Sequence, residues 1–152
     1  MYPEIRKIAG EAGFTEEAGT LLIIPHGAEE IGFVISALGG SHTVDTIVSI
    51  LSLCGIPKPQ ETIQLLSEQV LKPGGLFLFY EHVLSRREDV AWWQRLWTPI
   101  WKKAFDGCCL DRPSDIWLEN LDIWQSKDLW NLEGEPEENL WWHRGGKLTK
   151  AL

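Results

Sequence analysis

The sequence predicts an α/β fold: a parallel sheet with helices between its strands, closed at one edge by a C-terminal antiparallel hairpin. Three observations carry this reading. Apolar runs stand at residues 20–25 (TLLIIP), 44–53 (VDTIVSILSL) and 76–81 (LFLFYE). The first two are nearly all apolar and rich in β-branched residues, as in strands buried on both faces. Stretches with helical apolar spacing separate the runs, and strands alternating with helices build a parallel sheet with right-handed crossovers.

Each element has its own signal. Residues 3–13 read as a short helix ending at Gly13. TLLIIP follows as the first strand. In GAEEIGFVISALG, residues Ile31, Val34, Ile35 and Leu38 fall at helical spacing, and Gly39–Gly40 supply the stop. VDTIVSILSL is the second strand. In KPQETIQLLSEQVLKPGG, Pro59 suits a first helical turn and Ile63, Leu66 and Val70 line one face. A Pro-Gly turn then throws the chain into the third strand, which ends abruptly at Glu81 and His82. Beyond it, Trp93, Trp97, Trp101 and Phe105 recur about once per helical turn, with Pro99 expected to kink or split the helix. Residues 113–120 suggest another short helix. The tail from Ile123 to Lys150 reads as two strands around the acidic loop EGEPEEN.

Composition sets limits. A chain of 152 residues suffices for one domain with a modest core. A net charge of −8 argues against a nucleic-acid backbone as partner, and Arg86–Arg87 and Lys102–Lys103 are short, isolated basic pairs. No apolar run reaches the ~18 residues of a membrane span, and MYPEIRKIAG lacks a signal-peptide core. Cys54, Cys108 and Cys109 lack metal-ligand spacing, and their odd number argues against a disulfide framework. The expectation is a reducing, cytoplasmic setting and no metal.

In open α/β sheets, ligands bind beyond the carboxyl ends of the strands. Those ends are IIPHGAEE, SILSLCG and FYEHVLS. His82 could act as a general base toward a thiol or hydroxyl, or simply hydrogen-bond locally. Four of the nine tryptophans, Trp92, Trp93, Trp97 and Trp101, share one helical segment. They suit an apolar pocket, a surface patch, or packing on the sheet; four in ten residues are hard to bury in so short a chain, so some exposed patch is expected.

The segments DTIVSILSLC, LLSEQVLKPGGLFLFYEHV and WWQRLWTPIWKKAFDGCCLDRPS carry a more specific signal. Their order resembles the second half of a class I S-adenosylmethionine-dependent methyltransferase. Nearly the whole chain is similar to the methyltransferase-like thiol methyltransferase family and its fungal relatives, with FYEHV and FDGC the discriminating pieces. The resemblance implies a single methyltransferase-like domain over residues 1–152, with an incomplete Rossmann-like sheet. The family's first two strands and its glycine-rich loop have no counterpart here. By resemblance the chain starts about a third of the way into that domain.

The resemblance implies methyl transfer from S-adenosylmethionine to a small thiol or hydroxyl acceptor of secondary metabolism. The implied cofactor contacts are Gly27, Ala28 and Glu29 beside the adenine and Ser49, Ile50 and Leu51 along the methionine arm. The usual acidic partner of the adenine amine is Gly27 here, leaving backbone contacts. The alternatives are a helix start and strand core. Glu81, Trp92, Trp93, Trp97 and Asp106 would lie on the acceptor side, with His82 as the catalytic base; Cys108 would be a small buried residue. Two polar regions of the cofactor find no partner, so the chain alone is expected to be weak or inactive: a truncated version of a working enzyme, a degenerate pseudoenzyme, or a chain completed by a homodimer partner or complementing subunit. The alternative is a non-catalytic accessory protein that binds through its tryptophan-rich half. Residues 20–25 and 44–53 are expected to pair directly; otherwise the latter becomes an exposed apolar edge open to another chain.

Overall fold

In the computed structural model, which describes residues 2–152, two helices, α1 (Tyr2–Glu11) and α2 (Ile31–Ala37), precede a four-stranded mixed sheet. Strand β1 (Val44–Ile50) leads to α3 (Pro59–Leu65), which runs on through a π-turn at Leu66–Val70 into β2 (Leu71–His82). Helices α4 (Glu88–Ala104) and α5 (Ser114–Glu119) follow, then β3 (Trp124–Asn131) and β4 (His143–Lys150). The sheet order is β1-β2-β4-β3. β1 and β2 are parallel, whereas β4 is antiparallel to both β2 and β3. The predicted C-terminal hairpin therefore forms, and its last strand is the one that joins the sheet. No helix among the described residues is long and apolar enough to cross a membrane.

The Lys-Pro-Gly-Gly turn lies inside β2 rather than before it. Val44 pairs with Leu71 and Thr46 with Leu76, so Lys72–Gly75 bulge out of the ladder. Gly74 has φ +72°, and a Cβ on Gly75 would lie 3.0 Å from the Asp45 carbonyl oxygen, which makes glycine obligatory at this approach. Lys72 Nζ closes the bulge onto Asp45 at 2.7 Å.

The core lies on one face of the sheet. Alternation along β2 points Phe77 and Phe79 toward Leu53, Ile63, Leu118 and Leu148, all buried. Each such side chain contributes roughly 1.5–3 kcal/mol on burial. The Trp124 indole N–H donates to Leu118 O at 2.6 Å, and its ring meets Phe77 edge-on at 6.2 Å. Lys150 Nζ donates to Ser67 O, Glu68 O and Leu71 O at 2.8–2.9 Å, satisfying carbonyls that the end of α3 and its π-turn would leave open.

Four expectations need correction. TLLIIP forms no strand: residues 21–25 are irregular, and α1 and α2 on either side bury no residue. An apolar run becomes a strand only where a ladder partner exists, and this one has none. It therefore does not pair with β1, so one edge of β1 is open. Nor is β1 buried on both faces: Val48 and Ile50 are each 61% exposed, while Ser49 between them points inward. Finally, Pro99 does not split α4, which continues through it from Glu88 to Ala104. Proline removes the hydrogen bond to the Arg95 carbonyl, and Arg95 and Pro99 are both exposed, so water can take its place.

Candidate functional site

The site is built where the ends of β1 and β2 meet the loop after α4. At the end of β1, Leu51 takes a left-handed φ of +49° and turns the chain back across the sheet. Glu81, fully buried near the end of β2, holds that turn. Its carboxylate accepts the Ser49 hydroxyl at 2.7 Å, the Ser52 N–H at 3.0 Å and the Leu53 N–H at 3.2 Å. Burial raises the Glu81 pKa, and these three hydrogen bonds pull it back. The expected acceptor ligand is thus committed to its own backbone, and its effect is to fix the segment that carries Cys54.

The opposing loop is shaped as tightly. Asp106 and Gly107 both adopt positive φ (+45° and +89°), and Gly107 N–H donates back to Lys102 O at 2.9 Å, reversing the chain after α4. A Cβ on Gly107 would stand 3.5 Å from Gly55 O, so the two loops meet backbone to backbone. Cys109 N–H donates to Cys54 O at 3.0 Å, and Arg112 Nη1 donates to Leu53 O and Ile56 O at 2.8 Å each.

These contacts bring three chemistry-bearing side chains together. Cys108 Sγ lies 2.9 Å from His82 Nε2 and 3.1 Å from Cys54 Sγ, and it accepts the Trp101 indole N–H at 3.4 Å. Cys54 and His82 are buried and Cys108 is half-buried. Burial, with the nearby His143 and Arg112, lowers the His82 pKa to about 4. Burial foremost, then the neighbouring Cys108, pushes the Cys54 thiol up. His82 is therefore neutral at physiological pH and a weak proton acceptor; what it offers is a ring nitrogen 2.9 Å from the Cys108 sulfur, donor or acceptor according to its tautomer. The cysteines lack metal-ligand spacing along the sequence, but the fold brings Cys54 and Cys108 together with His82. No sequence signal could have shown this, since the three residues come from three separate elements.

The remaining candidates scatter. Trp97 lines an apolar hollow of about 300 Å³ with Ile100, Trp101, Phe105, Leu110 and Trp141. Trp92 and Trp93 do not; they stack edge-on at 4.8 Å and are 56% and 47% exposed. Asp106 is exposed at the loop turn. Gly27, Ala28 and Glu29 form the turn before α2, where Gly27 N–H donates to Glu30 at 3.1 Å. Ser49 faces inward, whereas Ile50 and Leu51 are exposed at the open end of β1.

By themselves these residues do not fit S-adenosylmethionine. The Ser49 hydroxyl is committed to Glu81. The Glu29 carboxylate folds over Gly27. Ser49 and Ile50 line one hollow and Glu29 another.

The sheet defines the class of fold: a Rossmann-like methyltransferase sheet, with one parallel pair and β4 inserted antiparallel. The methyltransferase-fold protein BH2331 of Bacillus halodurans aligns with 84% of this chain and 70% of its own, at a TM-score of 0.56 and 11% identity. No family model matches the chain. Among curated proteins, the human thiol S-methyltransferase TMT1B is 39% identical over 113 residues, 71% of this chain. Human thiol S-methyltransferase TMT1A is 41% identical over 99 residues, 60% of this chain. The chain spans 44% of the length of TMT1B and 39% of that of TMT1A. These relatives are mammalian.

Proposed function

We propose that this chain is the acceptor-side portion of an S-adenosylmethionine-dependent methyltransferase that acts on a small apolar thiol. The match to thiol S-methyltransferases across 71% of the chain carries the reading. The tryptophan-lined hollow supports it, because an apolar acceptor needs a dry pocket and Trp101 joins that hollow to Cys108. The cofactor's polar groups would be met by strands paired on the open edge of β1, from a longer chain, a second copy or a complementing subunit. Sulfonium-to-thiol transfer depends mainly on in-line proximity, which the pocket would provide.

The test is methyl transfer from S-adenosylmethionine to a small alkyl thiol, read as thioether by mass spectrometry. It compares the chain alone with the chain extended by the glycine-loop strands of the human relative. The extended protein should turn over thiols and leave the matching alcohols unchanged. A folded extended protein that binds S-adenosylhomocysteine but yields no thioether would overturn the proposal. That result would favour a second reading, a non-catalytic module that docks through α4, where Trp92, Trp93, Leu96 and Ile100 stand exposed.

A further inference from the structure

We propose that Cys54, His82 and Cys108 form a zinc site with three protein ligands and one position left for an exogenous ligand. The ligand atoms, two sulfurs and the imidazole Nε2, all lie within 4.8 Å of one another, and among the described residues no other group of three comes together this way. Two thiolates and one imidazole are soft to borderline donors, a set that selects zinc over calcium or magnesium. Three protein ligands with an open fourth position is the pattern of reactive rather than purely structural zinc.

The distances leave little to rearrange. Zinc bonds of roughly 2.3 Å to sulfur and 2.0–2.1 Å to nitrogen put tetrahedral S···S and S···N pairs about 3.8 and 3.6 Å apart. The present contacts are 3.1 Å between the sulfurs and 2.9 Å from Cys108 Sγ to His82 Nε2. Each must open by about 0.7 Å, which side-chain rotation supplies. Binding releases the two thiol protons to solvent, and the ion with two thiolates and a neutral imidazole carries no net charge. That balance suits a buried site, where an isolated charge is costly.

The surroundings are already those of a metal centre. The Trp101 N–H donates to Cys108 Sγ, as outer groups do to ligating sulfur. Backbone contact between the loops, with Arg112 holding both Leu53 O and Ile56 O, fixes Cys54 and Cys108 without the ion. Nε2 is the ring nitrogen that faces Cys108, while Nδ1 is buried and has no partner, so this outer contact of a ligating histidine is left for a water to make. Cys109 is outside the cluster: its thiol turns to Gly107 O.

The experiment uses the whole chain, purified under reductant. Bound metal is measured by plasma mass spectrometry, and cobalt(II) is titrated in as a visible probe. One zinc per chain is expected. Cobalt should give a sulfur-to-metal charge-transfer band and tetrahedral d–d absorption. The band should be lost in Cys54→Ser and Cys108→Ser and kept in Cys109→Ser, while His82→Ala should weaken the d–d pattern. Circular dichroism verifies the fold of each variant; Cys108→Ser, at a half-buried position, preserves the test if Cys54→Ser does not fold. No band from the folded, reduced wild-type chain would overturn the proposal. So would a band that survives in Cys108→Ser, or a thiol titre showing that Cys54 and Cys108 form a disulfide in reductant.

Discussion

Replacing Glu81 by glutamine should loosen the turn that carries Cys54, and the size of the effect follows from its three hydrogen bonds. In the native protein one carboxylate oxygen takes the Ser49 hydroxyl and Ser52 N–H, and the other takes Leu53 N–H. A glutamine can keep its oxygen toward the first pair, but its NH₂ then faces the Leu53 N–H, donor against donor. Leaving that buried N–H unpaired costs about 1–3 kcal/mol. The two retained bonds lose charge assistance, each weakening by roughly half. Against this, a buried charge no longer has to be desolvated. The net expectation is a loss of about 2 kcal/mol for Glu81→Gln and about 1 kcal/mol for Ser49→Ala, which removes a single bond. Urea unfolding checks both: the midpoint should fall in that order with the slope unchanged. A Glu81→Gln protein within about 0.5 kcal/mol of wild type would refute the reasoning, because the carboxylate would then not be acting as a triple acceptor.

Other perturbations have equally definite expectations. Gln94 is fully buried, donating to Val83 O and Leu140 O and accepting Ser85 N–H; Gln94→Leu strands all three and should cost about 3 kcal/mol in urea unfolding. A Cβ on Gly146 would fall 2.2 Å from Cε1 of buried Phe79, so Gly146→Ala should lower stability by about 2–3 kcal/mol and shift Tm accordingly. Burial raises the Asp115 pKa despite Arg86 and Arg144, so the folded state holds this proton more firmly than the unfolded one. Asp115 therefore contributes a loss of stability as pH rises from about 3.9 through its folded value, and stability–pH curves of Asp115→Asn should lack that fall. Val48→Lys, at an exposed β1 position, should change stability by less than about 0.5 kcal/mol in urea unfolding.

The elements that could be read in advance were those whose signals are local. Pro59 with Ile63 and Val70 marked α3, Gly39 marked the end of α2, and the EGEPEEN loop between alternating stretches marked the β3–β4 hairpin. What misled was apolarity without a partner. TLLIIP and the outward face of β1 look like buried strand in composition, yet burial depends on what pairs or packs against them, and residues 2–40 add nothing to the core cluster. The same reason hid the candidate site. Glu81 and His82 were visible as polar residues ending an apolar strand, but only the fold shows that Glu81 serves the turn and His82 the thiols. Cys54 and Cys108 are 54 residues apart, and two left-handed residues after α4 bring them together.

The most direct test of the account is calorimetric titration of the 152-residue chain with S-adenosylhomocysteine, beside the chain extended by glycine-loop strands. The account predicts no micromolar binding by the chain alone and micromolar binding once the open edge of β1 is paired. Micromolar binding by the unextended, monomeric chain would contradict it, because the cofactor's partners would then lie within these residues after all.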